Sequence, residues 1–158
     1  MVKIGVIGCG YWGPNLIRNF RKIEECKVLW CADLREERLN HMKQLYPNIK
    51  ITKDYRYIIN DKDVDAVAIA TPVSMHFEQA KMALLSNKHI LIEKPMTNSV
   101  KDAEELIKLA NENKKVLMID HTFEYAPALN KISEIIENNE LGKILTIDMI
   151  RVNLGLFQ

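Results

Sequence analysis

The stretch Val2–Gly13, VKIGVIGCGYWG, decides the fold. Its first half is a short apolar run, the composition of a parallel strand buried on both faces. Its second half, Gly8-Cys9-Gly10-Tyr11-Trp12-Gly13, is a GxGxxG segment that leads into an amphipathic stretch. There Leu16, Ile17, Phe20 and Ile23 recur at helical spacing, with Arg18, Arg21, Lys22 and Glu24 on the other side. The first glycine permits a tight turn, the second lets backbone approach a pyrophosphate, and the third lets helix and strand pack closely. The helix start then offers free N–H groups and partial positive charge to phosphate. Strand, loop and helix in this register predict a dinucleotide site.

Outward from that unit, strands and helices alternate. Strands are expected at Val28–Ala32, Ile49–Thr52, Ala66–Ala70, His89–Ile92 and Val116–Ile119. Helices are expected at Arg35–Leu45, stopping before Pro47, and at Asp54–Asn60. A third carries Phe77, Ala80, Met82, Leu84 and Leu85, with Ser74 as its expected cap, and a fourth runs from about Ser99 to Asn111. Pro127 opens a last one, whose apolar face holds Leu129, Ile132, Ile135 and Ile136. Strands separated by helices require right-handed crossovers and a parallel sheet covered on both faces. The class is α/β, a doubly wound parallel sheet of the Rossmann type. Lys143–Asn153 breaks the pattern by alternating apolar and polar residues, the period of a strand with one wet face. The expected organisation is a dinucleotide-binding domain over residues 1–122, then a linker helix and the first strand of a truncated second α/β domain over 123–158.

The composition narrows the function classes. The chain has 158 residues, with 22 Lys and Arg against 21 Asp and Glu, a net charge of +1. That balance provides no field for collecting nucleic acid or anionic membrane. No apolar run approaches the ~20 residues of a membrane span, and glycines interrupt the N-terminal run where a signal peptide would continue. Cys9, Cys26 and Cys31 form no CxxC pair, so a reduced cytoplasmic protein without a metal site is expected.

Asp33 ends the second strand 20 residues beyond Gly13, where a carboxylate can accept the adenosine ribose hydroxyls. A 2′-phosphate would meet it as a like charge, which favours NAD over NADP. Arg35, two residues on, softens that preference because it can pair with a phosphate. The plainer role for Asp33 is a cap on the following helix. Cys9 and Trp12 read as packing or as lining on the adenine side, and the charged run around Arg35–Arg38 as a solvated helix face.

With the glycine loop, Asp33, Ala70-Thr71-Pro72, Glu93-Lys94-Pro95 and Asp120-His121-Thr122-Phe123 in this order, the chain resembles the glucose-fructose oxidoreductase/inositol dehydrogenase (Gfo/Idh/MocA) family. The resemblance implies an N-terminal Rossmann domain and a C-terminal α/β domain with a largely antiparallel sheet. It implies hydride transfer between a nicotinamide cofactor and a sugar or cyclitol carbon, in a protein that forms homo-oligomers at full length. GVIGCGYWGPNLIRNF and RVNLGLFQ look closest to the branch acting on nucleotide-linked sugars.

By the same resemblance Lys94 faces the substrate hydroxyl, Glu93 turns toward the nicotinamide ribose, and His121 lies against the substrate. Thr71 and Pro72 line the nicotinamide half of the cleft, with His76 in the first turn of the following helix lining the cofactor pocket and Tyr11 and Trp12 on the loop. An ammonium beside a reacting carbinol can stabilise the alkoxide, or take its proton if its pKa is lowered. Pro95 is a candidate cis-proline. Plainer readings stand beside these: a surface Glu-Lys pair before a turn, a packed His76, and a His121 satisfied by Asp120. A WDLxPHD-like stretch, which carries a catalytic His in this branch, is not matched. The expectation is therefore an N-terminal fragment that binds cofactor with catalysis reduced or lost. The alternative, a non-enzymatic NAD(H)-binding module or redox sensor, keeps the glycines and Asp33 but has no use for Lys94.

Overall fold

The computed structural model describes residues 1–150 and 152. Six strands, β1 (Val2–Ile7), β2 (Cys26–Ala32), β3 (Lys50–Thr52), β4 (Ala66–Ile69), β5 (His89–Ile92) and β6 (Leu117–Ile119), form one sheet. Its order is β3-β2-β1-β4-β5-β6, with every neighbouring pair parallel. The helices are α1 (Gly13–Phe20), α2 (Glu36–Leu45), α3 (Arg56–Asn60), α4 (His76–Leu85), α5 (Val100–Glu112) and α6 (Pro127–Glu137). This is the doubly wound Rossmann order. The chain winds outward from β1 to β3, then crosses back and winds the other way from β4 to β6. The loops after β1 and β4 therefore diverge at the switch point and leave a crevice at the carboxyl edge of the sheet.

The apolar strands are buried on both faces, as their near-continuous runs predict. In β1, Ile4 and Val6 join Leu16 and Ile17 of α1 and Leu39 and Met42 of α2 on one face. Ile7 points the other way, into Ile58 and Ile59 of α3, Ala80, Ala83 and Leu84 of α4, and Leu106 of α5. Gly5 has no side chain because Ile58 fills the place its Cβ would take. β4 repeats the division, with Val67 and Ile69 on one face and Ala68 on the other.

Helix starts follow their local chemistry in two cases. The Ser99 hydroxyl accepts the Asp102 N–H at 3.1 Å and caps α5, and Pro127 sits in the first turn of α6. Ser74 does not cap α4. Pro72 instead leads a 3₁₀ turn over Val73–Met75, closed by the Met75 N–H on the Pro72 carbonyl at 2.9 Å, so α4 starts later, with Met75 preceding it.

Two compact units result, Met1–His121 and Thr122–Gln158. The first contains the whole sheet. The second holds a 3₁₀ turn over Thr122–Tyr125 and α6, whose Leu129, Ile132 and Ile136 are exposed. The strand expected over Lys143–Asn153 is not formed over residues 143–150, and residues 151 and 153 lie outside the described residues. Alternation marks which side chains can share a face, but a strand also needs a neighbour for its backbone. Residues 144–150 have none among the described residues. Among the described residues no helix is long and apolar enough to cross a membrane.

Candidate functional site

The crevice begins at the glycine loop. Gly8 has φ 95°, and a Cβ there would lie 2.5 Å from the Ala70 carbonyl oxygen, so the turn requires glycine. Its N–H donates to the Ala32 carbonyl at 2.8 Å, which ties the loop to the end of β2. A Cβ on Gly13 would run into the Gly8 carbonyl, so the third glycine sets how closely α1 approaches β1. Trp12 precedes α1, and its carbonyl accepts the N–H groups of Asn15 and Leu16. Tyr11 and Trp12 stand exposed on the loop, in edge-to-face contact with centroids 5.5 Å apart. Cys9 is buried beneath the loop, its Sγ 3.7 Å from the Ala32 carbonyl, where contact with the Cys31 thiol and burial push its pKa up.

Asp33 joins the loop to the second helix. Its Oδ2 accepts the Cys9 N–H at 2.8 Å and its Oδ1 the Arg35 N–H at 2.9 Å. The carboxylate thus steadies the start of α2 through an Asx turn, with Arg35 rather than Asp33 at the cap position. It also pairs with Arg38, whose Nη1 lies 3.4 Å from Oδ2. Arg38 is therefore not simply part of a solvated helix face. Its guanidinium also lies 3.4 Å from where a Gly10 Cβ would be, so it is the arginine at the loop. The Arg35 side chain is exposed.

On the other side of the switch point, β4 runs into Thr71-Pro72. The Thr71 hydroxyl donates to Gln79 Oε1 at 2.7 Å. His76 is buried, with its ring nitrogens 2.8 Å from the Thr71 carbonyl and 3.0 Å from the Pro95 carbonyl. Its ring lies between the turn after β4 and the turn after β5, and a neutral imidazole donates to one of the two carbonyls, an imidazolium to both. The Lys94-Pro95 peptide is cis, and the Lys94 side chain is exposed at the carboxyl edge. Glu93 is only 8 % exposed. Burial first, and contact with the Asp120 carboxyl second, push its pKa up to about 7. Asp120 thus faces Glu93. His121 is exposed just beyond β6, its N–H on the Ile119 carbonyl at 2.8 Å.

Two buried polar atoms have no partner, Gln79 Nε2 and Glu93 Oε1. One offers a donor and the other an acceptor beside the crevice. With the glycine turn and the Gly13 N–H at the start of α1, where Pro14 has no N–H and those of Asn15 and Leu16 are taken by Trp12, they fit a dinucleotide, which carries phosphate oxygens, hydroxyls and an amide. Arg38, Gln79 and the Glu93–Asp120 contact were missed by reading the sequence. Arg38 had a usable signal, since the first turn of α2 faces the loop. The other two depend on register between strands. Among the described residues no group of three or more His, Cys, Asp or Glu could hold a metal ion.

Loop, switch point and acidic strand end define a Rossmann domain of the dinucleotide-binding type. The NAD-binding Rossmann model of the Gfo/Idh/MocA oxidoreductase family matches residues 2–121, and the chain belongs to that family. It is 30 % identical to an uncharacterized oxidoreductase, YrbE, of Bacillus subtilis, over 99 % of this chain and 49 % of that one. It is 29 % identical to myo-inositol 2-dehydrogenase of Thermotoga maritima, over 99 % and 50 %. Among solved structures it resembles KijD10, a 3-ketoreductase from Actinomadura kijaniata in complex with NADP and TDP-benzene. There the TM-score is 0.80 at 26 % identity, over 87 % of this chain and 42 % of that one. The chain spans about half the length of the curated relatives it matches.

Proposed function

We propose that this chain is the cofactor-binding half of an NAD-dependent dehydrogenase that oxidises or reduces a hydroxyl or keto carbon of a sugar, cyclitol or nucleotide-linked sugar. The carrying observation is Lys94, exposed at the same carboxyl edge of the sheet as a glycine loop whose backbone is tied to Asp33. Relatives named as an inositol dehydrogenase and a 3-ketoreductase support the substrate class. Residues 123–158 are read as the link to a second domain that supplies the other wall of the substrate site. Three free cysteines support a reducing, cytoplasmic setting, and the full-length protein is read as a homo-oligomer.

When bound, the nicotinamide accepts or delivers the hydride. The chain does the rest. The loop N–H groups and the start of α1 hold the pyrophosphate, and Asp33 receives the adenosine ribose. Thr71 and Pro72 bound the nicotinamide half, and His76 fixes their turn against the Lys94 turn. Lys94 as the amine takes the hydroxyl proton when the carbinol is oxidised, and as the ammonium returns it when the carbonyl is reduced, with His121 as a hydrogen-bond donor on the same edge.

NAD is favoured over NADP because Asp33 opposes a 2′-phosphate, although Arg38 beside it narrows the gap. Calorimetric titration with NADH and NADPH tests this. NADH should bind the wild-type chain more tightly. Asp33→Asn should weaken NADH by about tenfold, about 1.4 kcal/mol, and leave NADPH less affected. Tighter NADPH than NADH in the wild type would overturn the cofactor assignment, and no binding of either would overturn the reading as a whole.

A further inference from the structure

The register of the last two strands sets up a contact that the reading above does not use. Ile92 pairs with Ile119, so the chain leaves β5 and β6 with Glu93 and Asp120 side by side. Both backbones are anchored there. The Glu93 N–H donates to the Ile69 carbonyl at 2.9 Å and the Asp120 N–H to the Ile92 carbonyl at 2.8 Å. The two carboxyl groups are within hydrogen-bonding reach of one another. Among the described residues no cation lies within ion-pair distance of either.

The groups that face Glu93 are few. Lys94 is its chain neighbour and His121 follows Asp120. On the neighbouring turn the His76 ring lies between the Thr71 and Pro95 carbonyls, and Gln79 Oε1 accepts the Thr71 hydroxyl. Two touching carboxylates without a paired cation cannot both stay ionised. One proton between them resolves the conflict, and the dyad then titrates as a unit.

Resting on the reading of this edge as the nicotinamide half of the crevice, we propose that Asp120 is a positioning residue. It shares a single proton with Glu93, and so presents the other Glu93 oxygen, the unpartnered Oε1, to a hydroxyl or amide N–H donor of the bound dinucleotide. The proton bridges the carboxyl groups, which pins the Glu93 rotamer. Oε1 is left as a buried acceptor that only a ligand or a water can satisfy. The pair with its one proton still carries a single negative charge, spread over two carboxyl groups, and Lys94 stands beside that shared charge.

The test is a carbon-detected NMR titration of the side-chain carboxyls of this chain, without and then with NADH. The wild type should show a carboxyl that titrates near neutrality, from the dyad. In Asp120→Asn that titration should fall toward the ordinary range, though not all the way, since burial remains. Should Asp120→Asn fail to fold, Glu93→Gln carries the same test, because the near-neutral step should vanish. Two ordinary titrations in the wild type, or a near-neutral step that persists in either variant unmoved, would overturn the shared proton. With NADH bound, the Glu93 titration should shift, and an unshifted one would overturn the presentation of Oε1. Calorimetry separates the underlying reading. If NADH does not bind while the carboxyls titrate as expected, the dinucleotide reading falls and takes the presentation of Oε1 with it, while the shared proton stands.

Discussion

At the amino edge of the sheet Lys88, 7 % exposed, donates to the carbonyls of Asp61 and Val64, each at 2.7 Å. At the carboxyl edge Glu93, 8 % exposed, leaves Oε1 with no partner. The amino edge is finished in other ways too. Asp65 accepts the Lys3 N–H at 2.7 Å, and the His89 ring accepts the Val116 N–H at 3.0 Å. The carboxyl edge instead gathers a positive-φ glycine, a second orphaned polar atom on Gln79, and two carboxyl groups in contact. An unsatisfied buried polar group costs about 1–3 kcal/mol. One sheet thus closes its polar groups at one end and leaves them open at the other. The open end is where the loops of a doubly wound fold receive ligand. The unfinished edge is the one that the proposed function uses.

The largest effect should come from the glycine loop. Gly13→Ala forces a Cβ into the Gly8 carbonyl, which is backbone and cannot rotate away. A loss of about 3 kcal/mol or more is expected, at the upper end for overpacking, together with loss of NADH binding. Urea unfolding and calorimetry measure both. A near-wild-type midpoint would break the claim that this edge is built around its glycines.

Next comes Glu93→Gln, read through pH. The folded pKa of Glu93 is raised from 4.5 to about 7, so its ionisation opposes folding. Stability contributed by the protonated carboxyl is therefore present below about pH 4.5 and is lost as pH rises to about 7 and beyond. At about 1.4 kcal/mol per unit, the ceiling on that loss is about 3 kcal/mol. Glu93→Gln does not titrate, so its urea midpoint should gain on the wild type between about pH 5 and about pH 8. Parallel pH profiles for the two proteins would contradict the strain assigned to the open edge.

Much of this contrast can be traced to particular residues in the sequence, and some cannot. The sheet was legible because β1 and β4 are apolar enough to be buried on both faces, and because Gly8, Gly10 and Gly13 mark the turn that starts a Rossmann unit. Ser99 and Pro127 announced their helices through local chemistry alone. Ser74 misled, since a prolyl turn closed first. Lys143–Asn153 shows a real alternation, but alternation carries no information about a partner strand. At the site, the Asp33 contacts with Cys9 of the glycine loop and with Arg35 at the start of α2 lay close to motif positions. The Glu93–Asp120 pair depends on Ile92 meeting Ile119 across the sheet, and Gln79 on how α4 is rotated above Thr71. Neither is a property of any short stretch of chain.

The smallest effect should come from Lys88→Met at the finished edge. Two terms oppose one another there. Burial lowers the Lys88 pKa, against the pull of Asp61 and Asp65, so at neutral pH the fold carries the strain of a desolvated ammonium, which methionine removes. Methionine also leaves the Asp61 and Val64 carbonyls without their donor, at about 1–3 kcal/mol for each carbonyl that water cannot reach. The second term involves two acceptors and the first a single, well-solvated-by-carbonyl charge, so a net loss of about 2 kcal/mol is expected. NADH affinity should not change, because Lys88 lies at the opposite end of the strands from the glycine loop. A variant as stable as the wild type would mean that the amino edge is no better satisfied than the carboxyl edge. A variant that folds but binds NADH more weakly would mean that the two edges are coupled through β5, and the contrast between them would then describe one site rather than two.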